Sequence, residues 1–107
     1  MQEPTFLTMV ALLDGPLHGY AIIKRSEQLS RGRIRLSAGT LYTALDRLLA
    51  AGMVVVVREE IVSGRARRYY QLTSSGRELI AEEGRRLAAA ARLVTKRPGM
   101  RRARFLA

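Results

Sequence analysis

Cysteine and tryptophan are absent from this sequence, and His18 is its lone histidine. Without thiols neither a disulfide nor a thiolate metal centre can form, and one imidazole cannot build an all-protein zinc site. A reducing, cytoplasmic compartment fits such a composition. Long apolar runs are missing as well. Residues 6–13 form a short one, but Glu3 and Pro4 precede it where a signal peptide carries basic residues. No stretch reaches the roughly 18 residues that a membrane helix needs. Nor is there a phosphate-cradling glycine loop or a nucleophile beside a base, and the adjacent Glu59 and Glu60 would point to opposite sides of a strand rather than converge. No enzyme, metal, cofactor or membrane partner is therefore expected.

Acid is the last shortage. Beyond Glu83 there is none, against eight bases, whereas the rest of the chain carries eleven bases and all nine acids. The formal charge of +10 is thus chiefly a property of the C-terminal part. By itself it argues for polyanions in general, so any case for reading DNA rests on where the other arginines sit. They cluster at Arg31, Arg33 and Arg35 and again at Arg65, Arg67 and Arg68.

The most patterned stretch is residues 36–57. Leu41, Ala44, Leu45, Leu48 and Leu49 recur at helical spacing and make one apolar stripe on about four turns. Ser37 is a good N-cap and Gly52 a good residue just past the C-terminus. The opposite face, at about 100° per residue, carries Gly39, Thr40, Thr43, Asp46, Arg47 and Ala50, a small polar surface able to enter a groove. Next come two expected strands, residues 53–61 and 67–72, joined by a glycine turn over residues 62–66 that opens the cluster Arg65, Arg67 and Arg68. A capped helix followed by a basic hairpin is the order of a winged helix-turn-helix. The β-branched run 54–57 predicts a strand with little exposure, and Glu59 and Glu60 lie where they can pair with the hairpin arginines.

Before that stretch, Pro4 suits the first turn of a helix that places Phe6, Met9, Val10 and Leu13 on one face and stops at Asp14-Gly15-Pro16. A second helix is expected from residue 17 or 18 to Leu29, with Ile22, Ile23 and Leu29 inward. Residues 33–36 alternate in period two, as for a short strand on the edge of the hairpin. Of Tyr69 and Tyr70, on opposite faces of the return strand, one is expected in the core. Thr73 or Ser75 can cap a last helix running to about Thr95, and Ser75-Gly76-Arg77-Glu78 matches a capping box. Ile80, Leu87 and Val94 are spaced by heptads with Ala90 and Ala91 beside them, which predicts a dimer interface. The fold class is thus mainly α with a small β-hairpin (α+β). It divides into a winged helix-turn-helix over 1–73, a dimerisation helix over 74–96 and a mobile basic tail over 97–107.

Together these pieces resemble the PadR-type transcriptional regulators. The resemblance is carried by His18-Gly19-Tyr20, by Ser37-Ala38-Gly39-Thr40-Leu41-Tyr42, and by Leu45-x-x-Leu48 with Gly52-Met53-Val54. It continues through Ser63-Gly64-Arg65 and Arg67-Arg68-Tyr69-Tyr70-Gln71-Leu72-Thr73 into Gly76-Arg77. It implies a homodimeric bacterial repressor of the short subfamily, released from its operator in some members by a stress-related or phenolic small molecule. Members that hold planar drugs between their subunits use a tryptophan of the last helix, which this chain lacks.

On double-stranded DNA, Arg65, Arg67 and Arg68, with Arg33 or Arg35, would neutralise phosphates. Ser37, Thr40, Thr43 and Arg47 would face the major groove, with Gly39 allowing close backbone approach. Tyr42, at the edge of the apolar stripe, can pack its ring and extend its hydroxyl to a phosphate, a role the resemblance supports. His18 and Tyr20 are expected to buttress helix packing. Two rivals stand beside this reading: a winged helix that docks an acidic protein, and a nonspecific nucleic-acid-coating protein acting through its basic tail.

Overall fold

The computed structural model describes residues 1–97 of the chain; beyond Arg97 the expected basic tail lies outside the described residues. In order the elements are α1 (Glu3–Ala11), β1 (Leu17–His18), α2 (Gly19–Leu29), α3 (Ala38–Ala50), β2 (Val54–Val62), β3 (Arg65–Leu72) and α4 (Ser74–Thr95). The strands form an antiparallel sheet of order β1-β3-β2.

Side-chain chemistry sets the boundaries of α3. The Ser37 hydroxyl accepts from the Thr40 N–H at 3.1 Å. At the other end Gly52 takes φ +74°, while the Gly52 and Met53 N–H groups return to the Leu49 and Leu48 carbonyls at 3.1 and 2.9 Å. That pair of bonds satisfies the last carbonyls and turns the chain directly into β2. Leu41, Ala44, Leu45 and Leu48 are buried as the stripe requires, whereas Leu49, at its edge, is only partly covered. They meet Met9 and Leu12 from the α1 end, Ile22 from α2, Val54, Tyr70 and Leu72 from the sheet, and Ile80 from α4 in one core. At about 1.5–3 kcal/mol for each large apolar side chain, this cluster is the main stabilising term.

Several elements depart from expectation. The third strand is Leu17–His18, paired with Tyr70 and Tyr69, and not residues 33–36. The Ile34 N–H donates to the Ser30 hydroxyl at 3.0 Å, and the Ile34 carbonyl lies 3.2 Å from the same hydroxyl. The backbone groups that a strand would offer are thus already engaged. The hairpin turn is only Ser63-Gly64, with Val62 opposite Arg65 and φ of +52° and +76°. Such a two-residue turn matches the twist of its strands, so pairing runs closer to the tip than a five-residue loop allows.

The valine run is not covered on both faces: Val54 is buried, but Val55 and Val57 are 42% and 46% exposed. A register shift between Val56 and Arg58 bends β2 there. On α2, Ser26 faces the core one turn after Ile22, and Leu29 faces out. On α1, Leu7 and Met9 are buried, Phe6 and Val10 only partly so, and Leu13 is exposed. Of the two tyrosines, Tyr70 is the buried one, at 3% exposure. Finally, Thr73 caps α4: its hydroxyl accepts from the Gly76 N–H at 3.0 Å and donates to the Gly52 carbonyl at 2.6 Å. Cap, α3 terminus and α4 start are thereby tied together, and the capping box counted from Ser75 is not used. Gly76 must be glycine because a Cβ there would collide with the Met53 carbonyl.

Candidate nucleic-acid interface

Gly39, Thr40, Tyr42, Thr43 and Arg47 all lie exposed on α3, Tyr42 at the edge of its buried stripe, and the capping Ser37 is exposed at its start. The helix stands between two concavities. On one flank a groove of about 600 Å³ is walled by Tyr42 and Tyr20 and by Arg65, Arg67 and Arg68 of β3. On the other, a groove of about 480 Å³ is lined by Ser37, Gly39, Thr40, Thr43 and Arg47 together with Gln2 and Thr5 at the start of α1. An exposed polar helix face bordered by grooves and by hairpin arginines suits a helix that enters a DNA groove. Gln2 and Thr5 were invisible in the sequence, because only the packing of α1 brings its N-terminal residues beside α3.

Tyr42 is 46% exposed. Its hydroxyl rests so close to Gly19 that a Cβ there would collide with it. The phenol therefore lies across the first turn of α2, fixed by the smallest side chain at that point. Behind it, burial and then the neighbouring Tyr42 push the Tyr70 phenol up, with Arg68 opposing. Tyr20, expected to buttress packing, is instead 60% exposed, with Lys24 5.6 Å from its ring centre.

His18 is neither loose nor simply packed. Its Nδ1 accepts from the Ala21 N–H at 3.3 Å and so caps α2. Its ring stands edge-on to Tyr69, centroids 5.4 Å apart and planes at 88°. Tyr69 in turn carries the Arg58 guanidinium 3.9 Å from its ring centre and donates its hydroxyl to Glu60 at 2.7 Å. The signal for the cap is present in the sequence, since His18 directly precedes a helix, but Ser, Thr, Asp and Asn are the usual caps, so spacing alone favours a packing role.

The arginines divide into two groups. Arg33 is held by both carboxylate oxygens of Glu3, at 3.1 and 3.2 Å, which raises its pKa further. Arg35 lies 3.8 Å from Glu27 and Arg68 lies 3.9 Å from Glu59. Among the described residues, Arg47, Arg65 and Arg67 have no carboxylate within 4.0 Å. The free positive charge beside α3 is therefore concentrated on Arg65, Arg67 and Arg47, and Arg33, Arg35 and Arg68 are partly neutralised.

The predicted contact residues of α4 separate. Ile80 is buried in the protomer's own core, at 4% exposure, and so is not open to a partner. Leu87, Ala90, Ala91 and Val94 are exposed, as is Leu93 at 70%. Between them and the domain, Glu83 is nearly buried and is bound by Arg86 at 2.7 Å and by the Met1 amine at 3.2 Å. The hydrogen bond from Arg86, and after it the amine, hold its carboxyl down at about 2 against the opposing effect of burial. Among the described residues no cluster of acids and His18 could hold a metal ion, and no helix is long and apolar enough to cross a membrane.

Comparison with known proteins agrees with this geometry. Residues 8–82 match the family described as "Transcriptional regulator PadR-like family". The transcriptional regulator Rv3488 of Mycobacterium tuberculosis is 42% identical over 81 residues, which is 76% of this chain and 72% of that protein. Among solved structures, a PadR family transcription regulator of Clostridium difficile R20291 superposes with a TM-score of 0.74 at 23% identity, covering 89% of this chain and 97% of that one. Bacillus subtilis PadR, solved in complex with operator DNA, superposes with a TM-score of 0.67 at 22% identity, covering 77% of this chain and 46% of that one. These two likenesses concern the fold.

Proposed function

Because the chain belongs to the PadR-like transcriptional regulator family, whose members are regulators and not enzymes, we propose that it is a homodimeric repressor that binds a pseudo-palindromic operator. The observation that carries this reading is α3, whose exposed Thr40, Thr43 and Arg47 line one groove while its Tyr42 and the hairpin arginines wall a second. Arg65, Arg67 and Arg68 neutralise phosphates along one flank, and Tyr42, braced on Gly19, extends its hydroxyl to the same backbone. Thr40, Thr43 and Arg47 face base edges, with Ser37 and Gly39 at the point of closest approach. Arg33, Arg35 and Arg68 contribute less than Arg65 and Arg67, because an operator must compete with Glu3, Glu27 and Glu59 for them.

The exposed Leu87, Ala90, Ala91 and Val94 pair two copies of α4. A two-fold dimer sets two copies of α3 into successive major grooves, with half-sites about 10 base pairs apart or a multiple of that. Occupying the operator blocks transcription, and a small-molecule effector releases it. The Bacillus subtilis PadR bound to operator DNA supports this reading by its shared fold.

Fluorescence anisotropy with DNA from upstream of the protein's own gene and a scrambled duplex, across a salt series, tests it. A preference of at least about a thousandfold with two protomers per site is expected. Equal binding to both duplexes that vanishes at physiological salt would refute sequence reading there and favour a protein-docking or coating role.

A further inference from the structure

We propose that His18 is a positioning residue that holds the hairpin against the helix-turn-helix only while its imidazole is neutral, so that operator affinity falls on acidification. The proposal rests on the DNA-binding reading above. His18 belongs to two structural units at once. It pairs in the sheet with Tyr69 of β3 and packs edge-on against that ring, while its Nδ1 caps the first turn of α2. Tyr69 is itself held from the other hairpin strand, by Arg58 over its ring and by Glu60 at its hydroxyl. One imidazole thus links α2 to the inner strand of the hairpin at the rim of the groove that Tyr42 and the arginines line.

The link depends on protonation state. A neutral ring accepts at Nδ1 only when its proton sits on Nε2, whereas the cation has an N–H on both nitrogens and accepts nothing. Protonation would therefore set a second N–H against the Ala21 N–H and place a positive charge at the positive end of the α2 dipole. The charged and titratable surroundings are Arg65, Arg67, Arg68 and Tyr69 of β3, Glu60 and Arg58 of β2, Tyr42 of α3 and Tyr20 of α2. Burial first, and Arg67 second, hold the imidazole below its ordinary 6.5, with Glu60 opposing. Since the folded pKa is the lower one, the stabilising contribution is complete above 6.5 and is lost as pH falls through the lowered value.

The sign is what makes this distinctive. A histidine whose only role is to face phosphates binds DNA more tightly when protonated, because it gains a charge to neutralise them. A histidine whose neutral Nδ1 holds the site together does the opposite. With a single histidine and no cysteine, no other side chain of ordinary pKa titrates between about pH 5 and 8.

The test uses the full chain and the tightest duplex from a random-sequence selection at about pH 7.5, with anisotropy followed down to about pH 5 at constant ionic strength. Affinity should fall about three- to tenfold over that range, as for loss of one helix cap. His18→Asn, whose amide oxygen can accept the Ala21 N–H at every pH, should bind near the parental level when neutral and show no such fall. His18→Ala should be weak throughout. In the free protein, nitrogen NMR should find the proton on Nε2, with the Ala21 amide shift following the imidazole titration. Parental affinity that rises or stays level in acid, or an equal fall in His18→Asn, overturns the proposal. If no duplex is preferred at neutral pH, the DNA-binding reading has failed instead. The NMR arm then decides the role of His18, and a proton on Nδ1 or an Ala21 amide indifferent to the titration overturns it.

Discussion

On α3 the stripe Leu41, Ala44, Leu45, Leu48 is buried throughout; on α4, Ile80 is buried but Leu87 and Val94, one and two heptads further on, are 41% and 52% exposed. The two patterns obey the same helical period. They differ in what lies opposite. α3 crosses the middle of the domain and meets α1, α2 and the sheet. A helix of 22 residues spans about 33 Å, and only the first turns of α4 have a core to cover them. Periodicity therefore names the face of a helix that seeks cover, and the length of the surrounding domain decides whether the protomer itself supplies it.

The contrast predicts two kinds of failure. The largest effect should come from Leu45→Ala, which removes a fully buried side chain and should cost about 2–5 kcal/mol of unfolding free energy at any protein concentration. Chemical denaturation measured at two concentrations checks this. Leu87→Glu should instead leave the folded domain's circular dichroism intact while converting dimer to monomer at micromolar concentration. Analytical ultracentrifugation reads this, and a variant that stays dimeric would remove Leu87 from the interface.

On α4, Glu83 lies between the buried Ile80 and the exposed Leu87. Its folded pKa of about 2 lies below its ordinary 4.5, so its contribution is fully present above 4.5 and is lost as pH falls from there toward 2. Glu83→Gln should lack this component, giving a shallower acid-unfolding profile between those values by circular dichroism. The smallest effects concern the arginines. Arg65→Ala should lower the slope of log affinity against log salt by about one, and Arg33→Ala by less, because Glu3 already neutralises that guanidinium. Equal slopes for the two would mean that the Glu3 pair opens fully on DNA.

Much of the site was legible from local rules. Ser37 and Gly52 mark α3 because capping and left-handed backbone are properties of single residues, and its exposed polar face follows from helical period alone. The arginines of the hairpin stood out as a cluster. Residues 33–36 and Leu17–His18 show where such rules stop. The alternation over 33–36 is real, yet the Ser30 hydroxyl engages Ile34, and the two-residue strand that does form has too little pattern to detect. Likewise Arg33 was visible as a base, while its partner Glu3, 30 residues away, was not.

From the sequence alone followed the order of helices and hairpin, the buried stripe of α3 with its polar opposite face, and the concentration of positive charge, all set by spacings within a few residues. Only the tertiary structure decided which arginines remain free of carboxylates, that Ile80 belongs to the core rather than to a partner, that Gly19 braces Tyr42, and that His18 joins α2 to the hairpin. These depend on contacts between segments distant in the chain. The free energy of such contacts comes from what packing brings together and removes from water, which no local spacing encodes.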